Sequence, residues 1–529
     1  MSEKHEDGVP AIQEKLEMYD DEKQEQEHDH QQAAAQENEA GHGGDTGLAN
    51  APWKFKLIAL ATALMLPVGS HFSASAISAM KATVKEELLI DNTRYGVLSS
   101  AVSIINTIFP IAGGMFIDMF GSIWGTLAVN VAIILGSLLT AIAAKYETFA
   151  LMVVGRVIFG IGSGLIVTMQ ESLLSKWFRT QHLAFAIGLQ LSISRLSTFL
   201  GTLVSNPIAE ATNDWVWPFW LSLFFCVFSI IMNVIYAGVV KHLRGHASIL
   251  SKAEAKALKQ KKTFKWRSVL KFPHIFWLII LIEFIYAAVW SSFQTIATEL
   301  VQVHFGSSKV LAGYKASASQ VVPIVATPLL GLLMDYFGLR VVILWLSAVF
   351  LMLSSGLLGW TYVDATVGMV LYSFSLAFGP IAMITSIGML LPSDYIGTGL
   401  GIYKSSNNIG TSILDIVVGV VQDKTANQAY TGVMLLFIIL AAVGFVLIIG
   451  LYAVQYWSYK GLLECHRKER LERMKEINDN ELLLTRQGLD AYSTTPVVKF
   501  NYLYVGVFLA ALLVAWVLFF VYAANGHIV

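Results

Sequence analysis

The chain has 529 residues, 55% of them hydrophobic and only 14% charged, with a mean hydropathy of +0.60. Soluble domains carry about a quarter charged residues, so a soluble globular enzyme is excluded, and a formal net charge of −1 leaves no basic field for nucleic acid. The expected class is an all-α polytopic membrane protein, in which 41 glycines without a triplet period suit helices packed closely in lipid.

Residues 1–52 are rich in Glu, Asp, Gln, His, Gly and Ala, with little apolar surface to bury, and are expected to form a solvated cytosolic tail. His5, His28, His30 and His42 lie there without the fixed geometry a metal requires, so no metal site is expected. Cys226, in an apolar run, and Cys465, in a charged loop, suggest neither a disulfide framework nor a zinc site. No signal-peptide pattern precedes the first apolar run, which is expected to direct insertion itself.

A bilayer core about 30 Å thick needs roughly 20 apolar helical residues per crossing. Against that length, six spans fall at about 55–80, 94–116, 122–144, 148–174, 182–206 and 215–240, an N-terminal half over 53–240. Six more fall at about 273–300, 310–334, 339–361, 366–391, 397–422 and 430–456, a C-terminal half over 272–457. Residues 241–271 form a linker in which Glu254 is the only acid, and 458–500 form a second charged loop containing HRKERLERMK from His466. A thirteenth span, about 501–524, lies within a last segment, 501–529. The positive-inside rule puts both basic loops, and by parity the N-terminus, in the cytosol.

The two halves repeat one another. GGMFIDMFG at 113–121 ends span two as GLLMDYFGLR at 331–340 ends span eight, placing Asp118 and Asp335 before a short turn. GLQLSISRLSTFL from Gly188 matches GIYKSSNNIGTSI from Gly401 at nearly the same offset, setting Arg195 opposite Asn408. Parallel six-helix repeats of this kind build alternating-access transporters.

Gly114, Asp118 and Gly121 resemble the G-x-x-x-D-x-x-G signature of the major facilitator superfamily. The basic residues that usually follow are replaced by SIWG at 122–125, while Arg340 survives in the second half. Arg156, Gly160, Gly162 and Gly164 resemble the family's R-x-x-x-G-x-G-x-G in span four. GRVIFGIGSG, SKWF at 175–178, AIGLQLSISRLST at 186–198 and LPSDYIGTGLG further resemble the domain-containing protein 1 group of that superfamily, whose members are lysosomal dipeptide transporters. The resemblance implies a fold of two six-helix halves, to which this chain adds a C-terminal helix. It also implies a substrate-contacting arginine at Arg195, charge relays using Asp118, Asp335 and Arg340 at cytosolic helix ends, and a glycosylated accessory subunit.

Ionisable side chains inside spans are functional candidates because hydrocarbon penalises them by a few kcal/mol or more. Arg195, near the middle of span five, suits a substrate carboxylate, or alternatively pairs with Glu171 to hold helices together. The resemblance aligns the acid that would receive a substrate amino group with Gly164, so Glu283 in span seven is a substitute candidate. Glu283 is also a candidate proton carrier, against a fixed ion pair with Lys315 or Lys404. Lys404 is a binding or inner-gate residue, His71 a cavity or packing residue, and Asn407 and Asn408 could bind a peptide bond. Glu171 and Arg156 are assigned to gating. Asp415 and Lys424 read as rim charges.

The loop before span thirteen contains Asp479-Asn-Glu-Leu-Leu483-Leu484, an acid separated by three residues from a dileucine, which resembles an acidic-dileucine sorting signal. The expected function is secondary transport of dipeptides, as uniport or with protons, in a lysosomal or vacuolar membrane, with the plasma membrane as the alternative. A proton-linked porter for monocarboxylates or other organic anions is the second reading, and a non-transporting membrane sensor or scaffold the third. The expected partners are a small-molecule peptide or anion, the lipid bilayer and the accessory glycoprotein. No phosphate loop, zinc-protease or nucleophile motif occurs, so neither enzymatic activity nor a cofactor is expected.

Overall fold

The computed structural model describes residues 52–110, 122–178, 183–244, 269–391, 395–469, 472 and 498–525. Every regular element among them is helical. The first span is broken: α1 (Trp53–Met65) gives way at Pro67 to α2 (Val68–Ala79), because proline carries no N–H to continue the ladder. The Ser229 hydroxyl repairs the break, accepting from Gly69 N at 3.0 Å and donating to Met65 O at 3.0 Å. A short α3 (Lys81–Leu88) follows, then α4 (Asn92–Ile105), whose N-terminus is capped by the Asp91 carboxylate at 2.7 Å from Arg94 N.

The first half continues through α5 (Ser122–Lys145), α6 (Phe149–Phe178), α7 (Leu183–Thr212) and α8 (Trp217–Arg244). The second runs from α9 (His274–Phe305) to α10 (Lys309–Ser317), a 3-10 turn at Ala318–Gln320, and α11 (Val321–Phe337), which together form its second crossing. Then come α12 (Arg340–Trp360), α13 (Ala365–Leu390), α14 (Ile396–Lys424), α15 (Thr431–Tyr459) and, past the charged loop, α16 (Lys499–Asn525). Among the described residues, eleven spans are long and apolar enough to cross a bilayer. The stretch around α4 and the polar α14 are the two expected crossings outside that set.

The first residues of α1 and the end of α8 share a face, since the Phe55 and His242 rings lie 6.1 Å apart. We call this the linker face. Two buried apolar clusters draw on residues 59–240 and one on residues 269–463, so each half owns its packing. A fourth joins Val97, Ala101 and Ile104 of α4 to Ile409 and Ile416 of α14. The glycines expected to let helices approach do so: a Cβ on Gly162 of α6 would meet Ile133 of α5 at 2.5 Å. The same device brings the halves together, where a Cβ on Gly96 would lie 2.5 Å from Asp415 O and one on Gly419 2.4 Å from Asn92 O.

Candidate functional site

Polar side chains are stacked in levels along the boundary between the halves. Nearest the linker face, Lys404 of α14 reaches the Glu171 carboxylate of α6 at 2.8 and 3.0 Å and Thr168 Oγ1 at 3.4 Å. Glu171 is therefore not the partner of Arg195, and Lys404 is not the partner of Glu283. The other proposed partner, Lys315, lies at the opposite face, near the outer end of the crossing that α10 begins, and pairs with Asp364 at 2.8 Å. Lys404, expected as a binding or inner-gate residue, is held in a cross-half ion pair.

One level deeper, Glu283 of α9 is 1% exposed and accepts a hydrogen bond from Asn407 Nδ2 at 2.9 Å, with the Tyr403 hydroxyl also beside it. Its second carboxyl oxygen has no hydrogen-bond partner, and no described cation lies within ion-pair distance. A charge at that position would be uncompensated, which is costly in a dry interior. Asn408 turns back on its own helix, donating to Lys404 O at 2.7 Å.

Arg195 lies twelve residues into α7, which at about 1.5 Å per residue is close to mid-membrane. It is surrounded by protein yet keeps part of its surface accessible. Its guanidinium makes no ion pair or hydrogen bond with any described residue. His71 of α2 and Tyr372 of α13 are its electrostatic neighbours, and His71 Nε2 is itself buried without a partner. Tyr372 belongs to a relay unnoticed in the sequence: its hydroxyl accepts from Gln294 Nε2 at 3.2 Å, and Gln294 Oε1 accepts from Gln320 Nε2 at 3.0 Å. Gln320 ends the 3-10 turn, where broken helix geometry frees polar groups.

Gly164, where the resemblance led to the expectation of an acid, leaves room for Asn106, just past α4. A Cβ on Gly164 would come within 1.7 Å of Asn106 Oδ1, so an acid there would require Asn106 to move.

Toward the opposite face, Asp415 is 5% exposed and accepts from Ser99 at 2.7 Å and Ser292 at 2.6 Å. It is not a rim charge: α14 continues nine residues further, to Lys424. Arg156, also buried, faces the Phe159 ring at 5.0 Å and interacts electrostatically with Tyr95 and Asp415. The last level was not anticipated from sequence. Glu299 of α9 holds Lys81 at 2.8 Å and Lys85 at 2.6 Å and accepts from Tyr430, while Asp423 accepts from Asn92 Nδ2 at 2.8 Å and Thr93 N at 2.8 Å. Lys81 begins α3 and Glu299 lies in the last turns of α9, where counting alone suggests solvated charges.

Arg340 is buried at the start of α12 and donates to Thr385 Oγ1 at 3.2 Å. Nearby Glu464 accepts from Val341 N at 2.7 Å and Val342 N at 3.3 Å, capping that helix. Asp118, Asp479, Leu483 and Leu484 lie outside the described residues, as does the side chain of Asp335.

A family model described as Major Facilitator Superfamily matches residues 64–414 and, again, 279–528. The protein named "Lysosomal dipeptide transporter MFSD1" from Bos taurus is 25% identical over 427 residues, 79% of this chain and 90% of that one. Its namesake from Homo sapiens is 25% identical over 75% of this chain and 86% of that one. A hexuronate transporter of Bacillus subtilis is 27% identical over 155 residues, 29% of this chain and 35% of that one. Among solved structures, the xylose transporter XylE from E. coli, in a partially occluded inward-open conformation, superposes with a TM-score of 0.58 at 13% identity. It covers 76% of this chain and 98% of its own. The nucleoside transporter NupG gives 0.55 at 14% identity, over 76% and 100%.

Proposed function

The chain belongs to the Major Facilitator Superfamily, and from that premise we propose that it carries small peptides across an endolysosomal or vacuolar membrane by alternating access. The observation that carries this reading is Arg195: a permanent cation near mid-membrane, partly accessible and without a described counter-charge. A peptide always offers a carboxylate, and a planar guanidinium binds one in bidentate fashion. The relatives named as lysosomal dipeptide transporters, which align with most of this chain, support the cargo class and the compartment. The cross-half contacts on both sides of Arg195 suit a gate on each side, of which one opens at a time. Glu283, buried beside Asn407 and Tyr403 with no described cation at ion-pair distance, suits a proton carrier.

One observation favours a second cargo, a monocarboxylate or other organic anion. Asn106 fills the space beside Gly164 where an acid would meet a substrate amino group. Purified protein should show a concentration-dependent rise in Tm with dipeptides. Arg195→Ala should weaken that binding about 10- to 100-fold, the loss of a charge-assisted hydrogen bond of about 1.5–3 kcal/mol. In liposomes, dipeptide flux competed by other dipeptides supports the first reading. Flux of simple carboxylates that no peptide competes supports the second.

A further inference from the structure

The helix α16 lies outside the twelve-helix repeat, and its packing is not that of a bystander. A single stripe faces the protein: Ala515 and Phe519 are buried, with Phe508, Leu512, Trp516 and Tyr522 partly covered beside them. That spacing is one face of an α-helix. The rest meets lipid, as Leu513, 66% exposed, illustrates.

The stripe straddles the boundary between the halves, packing on both α4 and α14. Its two ends are held differently. Near the linker face, Asn501 is fully buried and donates to Leu270 O at 2.9 Å and Phe272 O at 2.7 Å, while Val498 N donates to Leu270 O at 3.2 Å. Tyr504 stacks on Trp277 with centroids 5.8 Å apart and planes at 10°. These contacts fasten α16 to the start of the second half. Farther along, one hydrogen bond reaches the first half, from Trp516 Nε1 to Thr107 Oγ1 at 3.2 Å. Thr107 is also where α14 meets the first half, because the Ser405 hydroxyl donates to its carbonyl.

We infer that α16 is a clamp, anchored on the second half through Asn501 and Tyr504 and gripping the first through Trp516 and Phe519, that holds the α4–α14 boundary shut. The firm end has three backbone-directed hydrogen bonds and a ring stack. The far end has one side-chain hydrogen bond and an apolar patch, so that end releases when the halves part. Its consequence for transport rests on the alternating-access reading above. Its consequence for conformation does not: loss of the clamp moves the population toward the state in which this boundary is open, by the difference in contact free energy between the two states.

The test uses the full chain in nanodiscs, with Cys226 and Cys465 replaced by alanine and spin labels at Tyr146→Cys and Tyr362→Cys. These exposed loop positions lie on the opposite face, one in each half. Dipolar distances are compared with and without Trp516→Phe, which removes the donor and keeps the ring, and after deletion of 499–529. The clamp predicts a longer-distance component at least doubled by Trp516→Phe and larger still in the deletion. Unchanged distributions in both overturn it. If the deletion does not give a cooperative melt, Trp516→Phe combined with Phe519→Ala replaces it, under the same criterion. A shifted distribution in a protein that moves neither dipeptide nor carboxylate upholds the clamp and removes the transport reading. Dipeptide flux with unshifted distributions overturns the clamp alone.

Discussion

Lys404 Nζ and Glu171 Oε2 stand 2.8 Å apart across the boundary between the halves, on the linker-face side of Arg195. Both side chains keep part of their surface accessible, 22% and 30%, so solvent screens the pair and its stability is worth no more than about 1 kcal/mol. Under the alternating-access reading proposed above, its larger effect is on which gate is closed. Glu171→Gln and Lys404→Met should each leave Tm nearly unchanged. Each should raise, about 2- to 5-fold, the labelling rate of a cysteine at Thr168 by a reagent added from the linker face. The double exchange Glu171→Lys with Lys404→Glu should restore the slow rate. Equal labelling in all four proteins would remove the pair from the gate.

On the other side of Arg195 the balance differs, because Lys81 and Glu299 are 2% and 5% exposed. Removing one member of a buried pair leaves its partner uncompensated, at about 3–5 kcal/mol. Glu299→Gln leaves both Lys81 and Lys85 without their carboxylate and should lower Tm by several degrees. It should also open this face to soluble reagents. A thermal melt beside reagent access at Ser99→Cys checks both, and an unchanged melt would mean that water already reaches the cluster.

Glu283→Gln keeps the size of the side chain and an oxygen that accepts from Asn407 but cannot pick up and release a proton. If Glu283 carries protons, the variant should lose most uptake driven by a pH gradient, about 10-fold or more, while exchange of internal for external substrate persists. Loss of both activities in parallel would instead mark Glu283 as a binding or packing residue, and loss of neither would leave transport independent of it.

The crossings were legible because hydropathy and length answer to a bilayer of fixed thickness, and, apart from α4, which ends at Ile105, the observed helix ends fall within several residues of the expected ones. The depth of Arg195 in its helix was legible because an arginine in an apolar run is conspicuous whatever surrounds it. Partner choice was not. Lys404 was set against Glu283 and took Glu171, and Glu283 had two plausible lysines and took neither. Pairs such as Lys81 with Glu299 join residues more than two hundred positions apart, which no local pattern records. Asp415 was misplaced because distance from a helix end does not show that Ser99 of α4 and Ser292 of α9 close over it. Nor does any periodicity announce that Gln320 closes a 3-10 turn and reaches Gln294.

Glu464 lies in the loop after α15, outside the membrane-spanning helices, and gives a pH signature. Burial raises its carboxyl above the usual glutamate range, against the smaller opposing pull of the Val341 and Val342 amides and of Arg340. A raised carboxyl means that the folded protein binds this proton more tightly than the unfolded chain does. Its contribution to stability is therefore complete below the unfolded value and is lost as pH rises through the folded one. Glu464→Gln retains an oxygen for the two amides but has no such transition. Melting curves of both proteins between pH 4 and 7.5 should show wild type losing Tm relative to Glu464→Gln as pH rises. A difference that is flat, or that grows in favour of wild type, would mean that the capping hydrogen bonds and Arg340 outweigh burial at this carboxyl.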